Sequence, residues 1–285
     1  LDIAASSVGG SLTLTSGNVS GITDSGTVTV GGNLSATTDA NNGDIDMGTL
    51  AVTGTIALTT NDSAGDNTGH ATVVNASAIE FATSSVDGNL IATATAGNMT
   101  DSGILTVTGT SSFTTSASGA DINLDSSNLF TGAVTLAPTG SGDATLNSGE
   151  SVLYLAASEV GGNLSVTTVT AVRQTGVLTI TGTTYVYAPG KNDFVYFNSY
   201  SNEFEGAVSV TGHHVHLKDV DDILLGTINA TRGKFSVTAG GAVTQNSSLY
   251  SKNTATISAS GHNVTLINAS NNFVGGIEIT AADVQ

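Results

Sequence analysis

The sequence predicts an all-β fold: a parallel β-solenoid, wound as a right-handed β-helix, with about three coils in each ~73-residue repeat. Three observations lead there. A phrase, Ser-Asn-x-Phe-x-Gly followed by an alternating apolar run, occurs three times. It rests on Asn128, Phe130 and Gly132, on Asn202, Phe204 and Gly206, and on Asn271, Phe273 and Gly275. The three phenylalanines recur at near-constant spacing, the mark of a structural unit and not of a catalytic motif. Aliphatic residues alternate with Ser and Thr in short runs, as in Leu12-Thr13-Leu14-Thr15 and Leu178-Thr179-Ile180-Thr181, and each run is soon broken by Gly, Asn, Asp or Ser. No segment keeps a helical apolar period, and Gly and Thr disfavour helix interiors.

Two further landmarks keep the same order. Val8-Gly9-Gly10-Ser11-Leu12 returns as Val86-Asp87-Gly88-Asn89-Leu90 and Val160-Gly161-Gly162-Asn163-Leu164, and in worn form as Thr231-Arg232-Gly233-Lys234-Phe235. Asp24-Ser25-Gly26 matches Asp101-Ser102-Gly103, Gln174-Thr175-Gly176 and, worn, Gln245-Asn246-Ser247. The chain therefore reads as one solenoid of four copies, roughly 5–81, 82–155, 156–227 and 228–285, the last truncated. One copy is longer than one coil of ~20–25 residues, so three coils fit. Each apolar face is too narrow to be buried alone and is covered by the coils on either side. The Asn-x-Phe-x-Gly phrase is read as a corner: Gly for unusual backbone angles, Asn bonding its own neighbouring backbone, Phe anchoring over the core.

Composition narrows the function. With 23 acidic and six basic residues the formal charge is −17, which argues against nucleic acid and against anionic membrane surfaces. There is no cysteine, hence no disulfide, thiolate zinc site or cysteine nucleophile. No apolar run is long enough for a membrane-spanning helix. The chain starts at Leu1 without a basic, then apolar leader, and reads as a mature protein or a piece of a longer one. Only Pro138 and Pro189 interrupt ladder donors.

Gly162-Asn163-Leu164-Ser165-Val166, Gly176-Val177-Leu178-Thr179-Ile180-Thr181-Gly182 and Asn202-x-Phe204-x-Gly206-Ala207-Val208-Ser209-Val210-Thr211-Gly212 resemble repeats of the filamentous-haemagglutinin-like exoproteins, large bacterial surface or secreted adhesins of the two-partner-secretion type. The resemblance spans essentially the whole chain. It implies a right-handed β-helix, a secreted or cell-surface location, and an adhesive or scaffold role in filaments or biofilm. Both prolines follow alanine, at Ala137 and Ala188, which departs from the Asn-Pro motifs of that family.

Candidate chemistry is sparse. His213-His214-Val215-His216 is the one histidine cluster. With Val215 and Leu217 inward, His214 and His216 share an outward face and are the candidate metal ligands, although a third ligand is needed. Asp219, Asp221 and Asp222 form the densest acidic cluster and are read as turn residues. No catalytic constellation and no cofactor motif stands out, and an acidic surface gathers Ca²⁺ at most weakly. The Thr-x-Thr pairs fall short of an ice-binding face, which needs one on every coil. The reading is a non-enzymatic shaft of a secreted or surface fibre. The alternative is a carbohydrate-active β-helix enzyme, a polysaccharide lyase or hydrolase. Copy one opens on Ile3, Leu12 and Leu14 and copy four ends on Ile277-Glu278-Ile279, so the expected partners are further repeats of a longer chain or identical copies stacked head to tail. A host or neighbouring-cell surface, or a glycan, is the expected external partner.

Overall fold

A computed structural model describes residues 1–39, 42–61, 68–149, 152–190 and 194–285. Contacts divide it into two units, Leu1–Gly149 and Glu150–Gln285. Among the described residues each unit is built of short parallel strands without a helix. This is the predicted parallel β-solenoid.

In the first unit the strands Leu12–Ser16, Leu34–Thr38 and Ile56–Thr59 pair in register, Leu12 beside Leu34 and Leu34 beside Ile56. Each step from one to the next is one coil. A second column carries Ile22, Ile45, Ala71, Leu90, Ser111 and Val134. A third begins with Ser6, Val28 and Leu50. Alternation puts Val, Ile, Leu and Ala inward: Val28, Val30, Leu34, Ala36, Ile45 and Met47 are at most 1% exposed. The aliphatic faces of three columns close on one another, and each coil also covers the next.

The second unit repeats this plan. Leu164, Thr184, Val208 and Leu225 form one column. Val172, Val195, Val215, Phe235, Ala255 and Ile277 form the next.

The registers refine the repeat. Ile56 lies beside Phe81, which completes three turns from Leu12, and Leu90 then falls in the column of Ile22 and not in that of Leu12. Phe235, the counterpart of Leu164, likewise falls in the column of Val172. One repeat thus takes the chain round three full turns and on to the next column. Copies of a landmark therefore meet different neighbours. Phe130 packs edge-on to Phe113, which meets Phe81 in the same way, at 5.9 and 6.3 Å between ring centres. Phe204 instead stacks on Phe197 at 6.0 Å. The two corner phenylalanines thus pack against different rings.

Candidate functional site

The recurring phrase is a stitch between coils. Asn128 and Asn202 are completely buried. Asn128 Oδ1 accepts the backbone N–H of Leu105 at 2.8 Å, Asn202 Oδ1 that of Leu178 at 3.0 Å, and Asn271 Oδ1 that of Leu249 at 3.0 Å. All three donors lie one coil back in the chain. The expectation that Asn bonds its own neighbouring backbone holds for Nδ2 of Asn128 and Asn271, which donate to the carbonyls of Leu124 at 3.3 Å and Leu266 at 3.4 Å. It misses the cross-coil bond: each Oδ1 takes the place of a ladder carbonyl where the strand bends away. An unpaired buried N–H there would cost ~1–3 kcal/mol.

The Asn side chains also meet the other landmark. Asn128 Nδ2 donates to Asp101 Oδ2 at 2.6 Å. Asn202 and Gln174 exchange two bonds at 2.8 Å, and Asn271 and Gln245 two at 2.7 and 2.9 Å. Two motifs that look separate in the sequence are one device. Burial pushes the Asp101 carboxyl above its usual range, against the bonds it accepts from Asn128 and from the N–H groups of Ser126 and Asp125. Copy one lacks the amide. Val30 faces Val52 as Val107 faces Phe130, so Leu50 stands where Asn128 does, and Asp24 bonds the N–H groups of Gly48 and Thr49 instead.

The corner glycines need a different explanation from unusual backbone angles. None of Gly132, Gly206 and Gly275 has a positive φ. A Cβ on Gly132 would overlap the carbonyl of Gly109, one on Gly206 that of Gly182, and one on Gly275 the backbone of Asn253. They are glycines because two coils touch there. Phe130 and Phe204 are buried as predicted, while Phe273, in the last described coil, is partly open.

Asp219 is not the turn residue its neighbours suggest. It is the inward end of the strand His214–Asp219 and 1% exposed, bonding the N–H groups of Phe204 at 3.2 Å and Asp221 at 3.4 Å. Burial, outweighing those bonds, pushes its carboxyl up to about 7. Asn75, which carries no signal in the repeat landmarks, fills a similar gap by bonding both the N–H and the carbonyl of Val52.

In the same strand Val215 and Leu217 point inward, and His214 and His216 stand half-buried on the outer face, as expected. His214 Nδ1 accepts the N–H of Lys234 at 3.0 Å. His70 does the same for Asn89 at 2.8 Å, so His214 repeats a capping role. Burial holds both His214 and His216 below the usual imidazole range, with His213 and Lys234 adding to the effect at His214 and Lys218 at His216. His216 Nε2 is buried without a hydrogen-bond partner. Among the described residues no three His, Cys, Asp or Glu side chains are arranged to hold a metal ion.

Around these histidines lies a surface that the repeat landmarks do not reveal. Phe194 stacks on Tyr196 and on His214, at 5.2 and 4.8 Å. Arg173 lies over Tyr196 at 5.7 Å, and Lys218 over Tyr200 at 3.6 Å. The available signal is positional. All six Lys and Arg and all six Tyr occur after residue 153.

A family model described as repeats of unknown function, DUF5649, matches three successive segments: 68–137, 141–211 and 212–280. The chain belongs to this family. No curated protein and no solved structure matches the chain. The DUF5649 frame lines up with the stitch. Asn128, Asn202 and Asn271 stand at the same distance from the ends of their segments, at 137, 211 and 280. Asp101, Gln174 and Gln245 likewise share one distance from the starts, at 68, 141 and 212. The aromatic and cationic surface does not repeat in this way: the positions matching Tyr196 in the other two segments are Asn123 and Ile267.

Proposed function

We propose that this chain is a length of non-catalytic, structural or adhesive shaft from a secreted or cell-surface bacterial fibre. One observation carries the reading. What recurs from one DUF5649 repeat to the next faces inward and joins coil to coil: the amide pairs, the Phe anchors and the glycine contacts. A repeat whose constant part is its interior is a device for building length. The enzymatic alternative needs paired carboxylates, or a Lys or Arg base beside acidic residues, on one outward face. Asp219, from the densest acidic cluster, is turned into the core.

The terminal strand Ile277–Val284 pairs with Ala255–Val264, and most of its residues are exposed. A further coil, from a longer chain or from a second copy, would extend that ladder. The test is labelling of intact source cells and their medium with antibodies raised against the chain. The reading predicts signal on unpermeabilised cells or in the medium. Signal confined to permeabilised cells would overturn it.

A further inference from the structure

The groove beside the histidines has the makings of a binding site. It encloses about 280 Å³ and is lined by Tyr196, His214, His216, Lys234, Ser236 and Thr256. Tyr196, His216, Ser236 and Thr256 occupy one register line, outward residues on four successive coils about 4.8 Å apart. The line offers, in order, a ring, an imidazole and two hydroxyls, with the exposed Lys234 ammonium beside them.

Three features point to one ligand chemistry. First, His216 Nε2 is a buried polar atom with no partner in the protein. Such an atom is costly to leave unpaired, and because it has almost no exposed surface a ligand hydroxyl meets it only once the imidazole turns toward the groove. Second, Tyr196 and His214, both stacked on Phe194, give the groove an aromatic wall, while the Ser236 and Thr256 hydroxyls suit the polar rim of a sugar. Third, the chain carries −17 overall and repels polyanions almost everywhere, but all six of its Lys and Arg lie between 173 and 252. Arg173 and Lys234 stand on this same column of strands, one on either side of the Tyr196 and His216 pair. A cation placed there favours a ligand with an anionic substituent.

We propose that this groove binds a uronate residue of an acidic polysaccharide, with the carboxylate toward Lys234 and the sugar hydroxyls on His216, Ser236 and Thr256. This goes beyond the shaft reading and holds equally for a free binding protein.

The test is isothermal titration of the whole chain with polygalacturonate oligomers at low salt. Fully methyl-esterified oligomers remove the charge, dextran supplies a neutral glucan, and chondroitin sulfate supplies sulfate groups beside its uronates. The expected result is saturable binding of polygalacturonate, weakened about tenfold or more by methyl esterification and lost with dextran. Lys234→Met, on an exposed side chain, should weaken binding about tenfold with Tm unchanged, and Ser236→Ala with Thr256→Val should weaken it further. Absence of polygalacturonate binding overturns the proposal. So does binding indifferent to Lys234→Met or to esterification, and so does clearly tighter binding of the sulfated chain, which would assign the site to sulfate.

Discussion

Two strand columns, one from each unit, present different faces to solvent. In Leu1–Gly149 the outward residues are Thr23, Asp46, Thr72, Ile91, Ser112 and Thr135. In Glu150–Gln285 they are Tyr154, Arg173, Tyr196, His216, Ser236 and Thr256. The first unit carries 13 Asp and Glu with no Lys or Arg, and the second carries ten with all six. Inside, the two are alike. Val28, Leu50, Leu90 and Val134 in one, and Val172, Val195, Val215 and Phe235 in the other, are all buried to within 1%. A parallel solenoid fixes its interior by stacking and leaves every second residue free. Interior and surface can therefore differ independently, and in this chain the surfaces differ while the stitch is shared.

If the interiors are equivalent, breaking them should cost the same in both units. The largest effect belongs to the glycine contacts. Gly132→Val in the first unit and Gly206→Val in the second should each destabilise by about 2–3 kcal/mol, because a Cβ would press on a backbone carbonyl that cannot yield. Urea unfolding of the two variants checks this, and a large cost in only one unit would break the equivalence.

The amide stitch comes next. Asn202→Leu leaves the Leu178 N–H unpaired and takes one bond from each end of the Gln174 amide, which keeps those to Gly176 and Ser199, at about 1–3 kcal/mol. Asn128→Leu should cost a similar amount, since Leu105 N–H and Asp101 lose the same partner. Copy one already has Leu50 at this place, but there Asp24 bonds Gly48 and Thr49. Comparable thermal shifts in the two variants are the expected outcome.

Asp219 stands where Asn75 stands in the first matched segment, seven residues past the start in each, and its carboxyl in place of an amide sharpens the comparison through pH. Its folded carboxyl, at about 7, lies above the ordinary Asp value of ~3.9. Its contribution is therefore fully present below that ordinary value and is lost as pH rises through about 7. Asp221, close by, adds to that direction. His214 and His216 act oppositely. Their folded values are depressed, so their contribution is present above the ordinary imidazole value near ~6.5 and lost as pH falls below it. Asp219→Asn isolates the carboxylate. Near the ordinary Asp value its Tm should lie close to wild type. With rising pH the variant should gain on wild type, by the equivalent of about 1–3 kcal/mol, and the gap should level off above about 7. A Tm difference that does not change with pH would show that the carboxyl does not titrate in this range.

Outward substitutions should have the smallest effects. Thr179→Ser, on the outer side of Leu178–Ile180, should stay within about 0.5 kcal/mol by thermal denaturation. A shift as large as that of Gly206→Val would place Thr179 in the core.

The fold is legible in the sequence because alternation and recurrence are local signals. Period two separates Val208 and Val210 from Ser209, and three landmarks in constant order mark the repeat. What escapes is contact across a coil. The Asp or Gln landmark and the Asn landmark are both visible, but their partnership joins residues more than a full coil apart, and only the near-constancy of that gap hints at it. A sequence cannot show that another coil lies against Gly132 or Gly206, so backbone angles are the reading it offers for them. Asp219 misleads for a different reason. Its parity with Val215 and Leu217 points inward, while its charge suggests the surface. Burial wins because two backbone N–H groups there need an acceptor. The aromatic surface escapes because Tyr196 and His216 meet only through strand register.

If the two landmarks act as one stitch, Gln174 and Asn202 should be energetically coupled, and a double-mutant cycle on that pair is the most direct test. Gln174→Ala, Asn202→Ala and the double variant are compared with wild type by urea unfolding, alongside amide exchange at Leu178, whose N–H donates to Asn202 Oδ1. The expected result is a coupling of about 1–2 kcal/mol, with the double variant costing less than the two single variants together and the Leu178 amide exposed once Asn202 is gone. Additive costs, with Leu178 still protected in Asn202→Ala, would contradict it.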